Sequence, residues 1–557
     1  MTTLELPTDA LLFVPLGGSG EIGMNLNLYG LGGKWIMADL GISFADERLP
    51  GIDVVMPEPR FIEERAEDLL GIIITHAHED HYGAVAHLWP RLRAPVFATP
   101  FTAELLRGKL AEAGLEAQVP LNVVPLGGRL SLGPFDIEYI RLTHSIPESN
   151  ALSITTPLGR VMHTGDWKLD RQPLVGQTTD EARLQALGDD GVLAMVCDST
   201  NVFNAAASGS EGDVRESLTE LIAARRGGVA VATFASNVAR IETVAHAARR
   251  CGRQVALVGR SMQRTVRAAR AVGYLEETAH FLSDEEGAAL PRDKVVFLCT
   301  GSQGEARGAT SRIAAGDHPH VSLGEGDCAI FSSKIIPGNE LRLAELHNTL
   351  ALAGVEIITE KNHFVHVSGH PGVEELVKMY QWVRPQIAVS VHGEARHLIE
   401  HRRLAHELQI AHTIVPQNGT VVRLAPGPAQ IIGAVPAGRL VVDGERLVPD
   451  DGRTIVERRR LLFNGHVVVS LVIDEQGRPV SAPRISAHGI PMEDGNRKIL
   501  EDAITAAIKQ VLEGRDRGAR AGLGEALRIG VRRTCRALTG KRPIVDIHLI
   551  RLEKEKS

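Results

Sequence analysis

Cysteine is scarce in this sequence, and long apolar runs are missing from it. The five cysteines among 557 residues are scattered, with no C-x-x-C pair and no zinc-ribbon spacing. They are therefore expected to be buried, reduced thiols of a cytosolic protein. No window of about 18 apolar residues occurs, so no membrane-spanning helix is predicted. The first residues, MTTLELPTDA, lack the pattern of a secretion signal, and a cytoplasmic location without membrane contact is expected.

The length and composition indicate a globular chain of several domains. At 557 residues, about two to four domains are expected, because single hydrophobic cores stop growing well below that size. Hydrophobic residues make up 44% and charged residues 23% of the chain, close to the average of soluble globular proteins.

Charge is distributed unevenly along the chain. The net charge is −7, but residues 451–557 contain 21 Lys and Arg against 14 Asp and Glu, so this tail carries +7 and the residues before it carry −14. A basic tail on an acidic body fits a polyanionic partner, and it fits an ordinary solvated helix face equally well. Charge alone leaves both interpretations open.

The pattern of apolar runs indicates successive kinds of structure. Residues 11 to about 205 alternate strand-like runs with turns, which is typical of a layered α/β domain. From about 210 to 365, strand and helix patterns follow each other regularly, as in an inserted doubly wound parallel unit. The run QIAVSVHGE indicates a return to the first domain, LAPGPAQIIGAVPAG is typical of a linker, and the tail from about 451 predicts a small α+β domain.

A glycine-rich motif near the N-terminus matches the dinucleotide-binding fingerprint without its structural context. Gly18, Gly20 and Gly23 follow a strand-like run, and Asp39 comes at the required distance. The fingerprint needs a helix after the glycines to hold a pyrophosphate. The segment that follows, MNLNLYGLGGKWIMADL, predicts a hairpin of strands instead, so a dinucleotide site is not expected.

The run THAHEDH, at the end of an apolar strand, carries the strongest chemical signal. It places His76, His78, Asp80 and His81 within six residues. Groups of this kind are costly to desolvate together unless a divalent cation binds them. Imidazole nitrogens combined with carboxylate oxygens suit Zn²⁺, with Mn²⁺ as the alternative. His76 and His78 point the same way in an extended strand end, whereas Asp80 and His81 fall where a helix begins and could face a second ion.

Three further candidate ligands stand just past other predicted strands. His144 follows IEYIRL, Asp166 follows RVMHT, and His392 follows QIAVS. Each one alone is equally well explained as a surface or capping residue. Together with THAHEDH, they predict that several strand ends converge on one metal site.

These residues resemble the metallo-β-lactamase superfamily, whose H-x-H-x-D-H signature matches THAHEDH. The resemblance implies two divalent ions that share one bridging aspartate. The ligands implied for one ion are His76, His78, His144 and Asp166, and those for the other are Asp80, His81, Asp166 and His392. Asp39 matches the first acidic motif, whose carboxylate supports the ligands by fixing an imidazole tautomer.

Further motifs resemble the nucleic-acid-processing members that carry an inserted β-CASP domain. They are Asp198 in VCDST, which has a supporting role like that of Asp39, His370 in HVSGH and His392 in SVHGE. In that group, a histidine at the last position is associated with RNA and valine with DNA, so His392 favours RNA. The phrases GGSGEIGMN, TFASNVARIE, TGSQGE and SSKIIPGNE look like the ribonuclease J family in particular.

The resemblance implies an α/β fold: a metallo-β-lactamase αββα sandwich with an inserted doubly wound parallel α/β (β-CASP) domain and a small C-terminal α+β domain. The bounds expected are 1–208 for the first part of the metallo-β-lactamase domain, 209–365 for the β-CASP domain, 366–430 for the return to the first domain, 431–450 for a linker, and 451–557 for the C-terminal domain.

The activity implied is that of a 5′-to-3′ exoribonuclease that prefers 5′-monophosphate RNA and also cuts internally, in RNA maturation, rRNA processing and mRNA decay. A hydroxide activated by two ions would attack the phosphodiester. The catalytic residues implied are Asp80, His81, Asp166 and His370. The partners implied are single-stranded RNA, further copies of the chain in a homodimer or homotetramer, and proteins of an RNA-degradation complex.

The HVSGH segment is the candidate phosphate loop, because it offers backbone N–H groups and a serine hydroxyl. Its residues are His366, Val367, Ser368, Gly369 and His370. A turn that carries a packed histidine is the alternative. Candidates for the RNA path are Phe234, which could stack on a base, with Ser236, Asn237 and Arg240, while Ser332, Ser333 and Lys334 are candidate phosphate contacts. Core packing or an ordinary loop would explain these residues as well.

Three competing functions remain open at this point. A hydrolase of small esters, thioesters or lactones would use the same metals, but it leaves the inserted unit unexplained. A non-catalytic RNA-binding subunit of a degradation complex would be expected to have lost ligands. A DNA nuclease is disfavoured by His392.

Overall fold

The computed structural model describes residues 5–492, 497–514 and 522–552. The chain divides into two units. The first consists of Met1–Phe44 with Val54–Leu440, and the second consists of Ala45–Asp53 with Val441–Ser557. Within the described ranges, no helix is both long and apolar enough to cross a membrane. The five cysteines are unpaired, as predicted.

The first part of the first unit is rich in short strands, as its alternating apolar runs predict. Its elements are β1 Leu11–Gly17, β2 Ser19–Gly20, β3 Leu26–Leu31, β4 Lys34–Ala38, β5 Ser43–Phe44, β6 Val54–Pro57, α1 Arg60–Glu63, β7 Leu69–Ile73, α2 Glu79–Tyr82, α3 Val85–Leu92, β8 Val96–Ala98, α4 Pro100–Glu112, β9 Leu121–Val123, β10 Arg129–Leu132, β11 Phe135–Arg141, β12 Asn150–Thr156, β13 Gly159–His163, α5 Glu181–Asp190 and β14 Ala194–Asp198. The hairpin predicted after the glycine-rich motif is confirmed, since β3 and β4 pair antiparallel and no helix follows the glycines.

An inserted unit of alternating strands and helices comes next. Its elements are α6 Glu211–Ala223, β15 Val229–Ala232, α7 Val238–Arg250, β16 Gln254–Val258, α8 Arg260–Ala271, α9 Asp284–Ala288, β17 Val295–Cys299, α10 Ala309–Ala314, β18 Cys328–Phe331, α11 Glu340–Leu352 and β19 Glu356–Ile358. The strands form one parallel sheet in the order β16-β17-β15-β18-β19. Strands such as VAVA and VVFLC are apolar throughout because helices cover a parallel sheet on both faces.

The chain then returns to the first part, and this return completes both of its large sheets. The returning elements are α12 Val373–Val383, β20 Ile387–Val391, β21 Gly393–Glu394, α13 Ala395–Glu407, β22 His412–Ile414, β23 Thr420–Ala425 and β24 Gln430–Ala434. One sheet has the order β24-β23-β1-β3-β4-β7-β8-β9, and the other has the order β10-β11-β12-β13-β14-β20-β22. The returning strand β20 pairs parallel with β14, and β23 pairs antiparallel with β1.

The two large sheets pack face to face around one apolar core. Phe13 and Ile36 from one sheet and Ile137 and Val196 from the other are buried in the same cluster. Helices α5, α12 and α13 cover the outer face of the seven-stranded sheet through a second cluster. This layering, with the insertion between β14 and β20, is the predicted sandwich. It brings the carboxyl ends of several parallel strands to one edge.

The second unit has its own core. The boundary strand β25 Arg439–Asp443 precedes its elements β26 Arg446–Pro449, α14 Arg453–Asn464, β27 His466–Ile473, β28 Arg484–His488, α15 Arg497–Glu513, α16 Leu523–Thr539 and β29 Ile544–Arg551. Every second residue of β27 is buried, because one face of the sheet β28-β27-β29 packs on α15 and α16. These elements form the predicted α+β domain.

The stretch 431–450, expected to be a linker, contains strand structure instead. It holds most of β24 and all of β25 and β26, and the second unit begins at Val441 rather than at 451. Leu440 and Val441 are buried. The apolar pairs in RLVVD and RLVP therefore outweigh the neighbouring prolines and glycines, whose frequency suggested a linker.

Candidate metal centre and phosphate loop

The predicted site residues lie where strands end at one edge of the sandwich. Strands β4 and β7 run parallel, and so do β13, β14 and β20. Asp39 follows β4, His76 follows β7, Asp166 follows β13 and His392 follows β20. The backbone at Asp39 and His392 has φ of +66° and +52°. Non-glycine residues rarely adopt this left-handed conformation, and such strain concentrates at functional sites.

His76, His78 and His144 turn their ring nitrogens towards one point. His78 Nδ1 lies 3.1 Å from His76 Nε2 and 2.9 Å from His144 Nε2. Asp166 Oδ2 lies 4.0 Å from His76 Nε2 and 3.9 Å from His144 Nε2. Burial lowers the pKa of His76 and His144 well below the usual value and that of His78 to about 4. Neutral imidazoles that face each other in this way have free lone pairs for a cation.

A second group meets the first at Asp166. Asp166 Oδ2 lies 3.1 Å from His81 Nε2, and Asp80 Oδ2 lies 3.2 Å from His392 Nε2. The ligand atoms of Asp80, His81, Asp166 and His392 all lie within 4.8 Å of one another, as do those of His76, His78, His144 and Asp166. Asp166 Oδ1 is buried and accepts no hydrogen bond from the described residues. A carboxylate oxygen left without a donor, between two groups of ligands, fits a pair of divalent ions.

In the second group, protonated histidines balance the negative charges of the aspartates. Burial disfavours the charged imidazole of His81, but the Asp166 and Asp80 carboxylates favour it, so its pKa is raised well above the usual value. Against the same effect of burial, Asp166 and the hydrogen-bonded carboxylates of Asp198 and Asp80 raise the pKa of His392 to about 10. Divalent cations would neutralise the same carboxylates and displace the imidazole protons, because histidine binds a metal ion in its deprotonated form.

The Asp198 carboxylate contacts two histidines near Asp166. One of its oxygens lies 2.8 Å from His370 Nδ1, and the other lies 3.4 Å from His392 Nδ1. Asp166, Asp198, His370 and His392 also bring four ligand atoms within 4.8 Å of one another, so they form a third arrangement that could hold an ion. Asp198 thus lies beside the candidate metal ligands.

Comparison with known proteins agrees with this geometry. Models described as "Metallo-beta-lactamase superfamily" and "Ribonuclease J, beta-CASP domain" match residues 25–194 and 226–350. Those described as "Zn-dependent metallo-hydrolase RNA specificity domain" and "Ribonuclease J C-terminal domain" match residues 354–416 and 453–552.

Curated relatives extend the match over nearly the whole chain. Ribonuclease J of Sinorhizobium meliloti is 46% identical over 551 residues, which cover 98% of each chain. The chain belongs to the ribonuclease J family. Ribonuclease J of Mycolicibacterium smegmatis is 38% identical over 491 residues, 87% of each chain, and that of Synechocystis is 34% identical over 510 residues, 91% of this chain and 79% of its own. The protein is therefore a metal-dependent ribonuclease, a hydrolase of RNA phosphodiester bonds. The small-ester, DNA and non-catalytic alternatives are not favoured.

In this ribonuclease J site, Asp39 contacts His81 at Nδ1, the ring nitrogen that points away from Asp166. Asp39 Oδ2 lies 2.7 Å from His81 Nδ1, and the carboxylate also accepts from the N–H of Thr75 at 2.8 Å and from its hydroxyl at 2.9 Å. The carboxylate is fully buried. This arrangement fixes the ring orientation of His81 and directs its Nε2 towards Asp166.

Asp39→Asn is expected to lower zinc affinity by about 10- to 100-fold, because the amide cannot match the charge of a carboxylate that orients a ligating imidazole. Competition of the metal-free protein with a chromophoric chelator measures the change. Asp68→Asn is the matched control, since Asp68 forms an exposed ion pair with Lys34. Equal affinities for the two variants would remove the supporting role of Asp39.

The HVSGH loop is tied directly to the first group of ligands. His144 Nδ1 donates to the carbonyl oxygen of Gly369. A Cβ atom on Gly369 would lie 2.8 Å from His144 Cε1 and 2.9 Å from Ser145 Oγ, so only glycine permits this approach. The Ser368 hydroxyl accepts from the backbone N–H of His370 at 3.1 Å, and Val367 anchors the loop in the interior.

His366 stands at the start of this loop with a buried, unpaired ring nitrogen. Its Nδ1 is buried without a hydrogen-bond partner among the described residues. Burial lowers the pKa of His366 well below the usual value, and the positive charges of Arg240, Lys168 and Lys334 lower it further. The unpaired ring nitrogen is therefore available to a bound group at the start of the loop.

The residues proposed for the RNA path differ in how deeply they are buried. Phe234 and Ser236 are half-buried after β15. Asn237 is buried, and its side chain caps α7 by accepting from Arg240 N at 2.9 Å. Of the two interpretations of Arg240, core packing is confirmed, because its guanidinium is fully buried against Glu211. Ser332 and Ser333 are buried as well, whereas Lys334 is exposed.

Two polar residues of the site were missed by the sequence analysis. Asn25 Nδ2 lies 3.1 Å from both His81 Nε2 and the carbonyl oxygen of Asp80. The Thr200 hydroxyl lies 2.7 Å from His392 Nδ1. Asn25 ends the phrase GGSGEIGMN and Thr200 ends VCDST, so both lie in segments already singled out for family resemblance.

Proposed function

We propose that this chain is a two-metal 5′-to-3′ exoribonuclease that prefers 5′-monophosphate RNA and also cuts internally, in RNA maturation, rRNA processing and mRNA decay. The observation that carries the proposal is the convergence of seven side chains into two ligand groups around Asp166, with the HVSGH loop bonded to one of them. The seven proposed ligands are His76, His78, Asp80, His81, His144, Asp166 and His392.

Zinc is the proposed metal. Five imidazoles and two carboxylates offer the nitrogen and oxygen donors that Zn²⁺ binds well, and Mn²⁺ is the alternative. When bound, a pair of such ions lowers the pKa of water and neutralises charge on phosphate oxygens. The protein's own contribution is then to position the phosphodiester and to move a proton.

His370 is proposed to donate a proton to the departing 3′ oxygen. Asp198 accepts from His370 Nδ1 at 2.8 Å, which leaves Nε2 free for substrate. Burial opposes the charged ring, but the Asp198 and Asp166 carboxylates outweigh it and raise the pKa of His370 above the usual value. A protonated imidazole in this position can contact the scissile phosphate and donate a proton to the leaving group.

The HVSGH loop is proposed to bind the 5′-phosphate. Its position beside His144 would hold the end of the chain at a fixed distance from the ligand groups, so that cleavage proceeds from the 5′ end. A homodimer or homotetramer, and partners in an RNA-degradation complex, remain part of this proposal by resemblance to the family.

The proposal is tested with matched RNAs that carry a 5′-monophosphate, a 5′-triphosphate or a 5′-hydroxyl group, labelled at either end. We expect the monophosphate RNA to be degraded fastest, with mononucleotides released from the 5′ end. Degradation that starts at the 3′ end, or equal rates for all three RNAs, would contradict the proposal.

Ser368→Ala is expected to reduce the preference for 5′-monophosphate over 5′-hydroxyl RNA about tenfold, because a hydrogen bond to a charged group contributes roughly 1.5–3 kcal/mol. The ratio of kcat/KM for the two RNAs measures this preference. Internal cleavage of a 5′-hydroxyl RNA serves as the control and should be retained. An unchanged ratio would show that the serine does not contact the phosphate.

A further inference from the structure

Phe203 is an exposed aromatic side chain on a turn that is hydrogen-bonded to the HVSGH loop. Its exposed fraction is 56%. The flanking residues are anchored: Val202 is buried, Asn201 Nδ2 donates to the carbonyl oxygen of His370 at 3.3 Å, and the carbonyl oxygen of Asn204 accepts from Val373 N at 2.8 Å. The turn therefore holds the ring outwards, five residues after Asp198.

The neighbours of Phe203 come from the segment that follows the other key histidine. The ring centroid of Phe203 lies 5.2 Å from that of His397 and 5.8 Å from the guanidinium carbon of Arg396. Both partners stand at the start of α13, directly after His392 and its VHGE motif. A single exposed apolar residue is ordinary on a protein surface. Here, however, the exposed ring lies beside an imidazole and a guanidinium, and the cluster joins the segments that follow the VCDST and VHGE motifs.

The cluster carries exposed positive charge. Burial lowers the pKa of His397, and the charge of Arg396 lowers it further. Arg396 is mostly exposed, although it also pairs with Glu394 at 2.8 Å. Aromatic rings that bind bases, next to cations that bind phosphates, are the general means of holding single-stranded nucleic acid.

We propose that Phe203 and Arg396 form a nucleotide subsite, in which one base of single-stranded RNA stacks on the Phe203 ring while Arg396 contacts the adjoining phosphate. The subsite deepens the proposed function and rests on RNA as the substrate. It does not depend on the direction of degradation. Because every base has an aromatic face, the subsite accepts any of the four bases.

Steady-state cleavage of a 5′-monophosphate oligoribonucleotide by the full-length protein tests the subsite. Phe203→Ala and Phe203→Leu are expected to raise KM about tenfold with little change in kcat, whereas Phe203→Tyr stays close to the wild type. The leucine variant keeps apolar bulk without an aromatic face, so it separates stacking from packing. Thermal midpoint and metal content, measured for every variant, check that the fold and the ligand groups are intact.

A series of RNAs with one abasic nucleotide at successive positions identifies the stacked base. For the wild type, one position should raise KM about tenfold, and Phe203→Ala should be insensitive at that position. Arg396→Gln should raise KM and weaken the salt dependence of KM, because a phosphate contact is lost.

The subsite would be overturned by an unchanged KM in Phe203→Ala and Phe203→Leu, or by a wild-type abasic effect that persists in Phe203→Ala. A fall in kcat alone would also overturn it, since that would indicate a structural role. Failure of the proposed 5′-to-3′ direction can be distinguished from failure of the subsite. A wrong direction would be seen in the products of the wild-type protein, whereas KM values of the variants can still be compared through internal cleavage.

Discussion

Replacing Asp80 and His81 together with alanine is expected to slow RNA hydrolysis by at least about a thousandfold. The substitution removes two of the four ligands proposed for one ion, and metal ions stabilise transition-state charge by several kcal/mol, of which each 1.36 kcal/mol is tenfold in rate. Single-turnover cleavage of a labelled RNA measures the loss. Metal content should fall by about one ion per chain, because the first ligand group stays intact.

Glu79→Ala is the matched control for this variant. Glu79 stands beside Asp80 in the same helix, but its carboxylate pairs with Lys109 and is not one of the clustered ligands. Its removal is expected to change the rate less than about threefold, since a surface ion pair contributes little. Cleavage by Asp80→Ala/His81→Ala at the wild-type rate would remove the metal mechanism.

Arg240→Met is expected to destabilise the first unit by about 3–5 kcal/mol, because it leaves a buried carboxylate without its partner. Arg240 and Glu211 are 0% and 1% exposed, and Arg240 Nη2 lies 3.0 Å from Glu211 Oε2. Arg240 Nη1 also donates to the carbonyl oxygens of Ser332 at 3.0 Å and Val365 at 2.9 Å. Since Val365 directly precedes the HVSGH loop, we also expect weaker discrimination of the 5′-phosphate.

Chemical denaturation followed by a probe in the first unit measures this effect. Arg264→Met is the control, because Arg264 forms an exposed ion pair with Glu112 and should cost less than about 1 kcal/mol. The double variant Arg240→Met/Glu211→Leu should recover much of the lost stability, since no buried charge is left unpaired. Equal losses for Arg240→Met and Arg264→Met would show that the buried pair does not hold this region.

The place where the candidate ligands meet could be predicted from sequence because these residues follow strands. His76, Asp166 and His392 each come just after an apolar run, and the carboxyl ends of parallel strands meet at one edge. The return of the chain to the first domain after the insertion could also be predicted, since QIAVSVHGE repeats the strand-then-histidine pattern. These features depend on local order along the chain, which is why they were accessible.

Other features depend on contacts that no local pattern contains. The sequence left Arg240 as a candidate for either the RNA path or the core, and Glu211 and Ser332 enclose it from distant parts of the chain. The exposure of Phe203 and its position beside Arg396 likewise follow from two segments that meet only in the folded protein. Strand formation within 431–450 depends on the burial of Leu440 and Val441.

A crystal structure of the protein with zinc, with anomalous scattering recorded on both sides of the zinc edge, tests the paired metal site most directly. We expect two peaks separated by about 4 Å on either side of the Asp166 carboxylate, one beside His76, His78 and His144 and the other beside Asp80, His81 and His392. A single peak, or a peak held by Asp198 and His370 with the THAHEDH side chains empty, would contradict it.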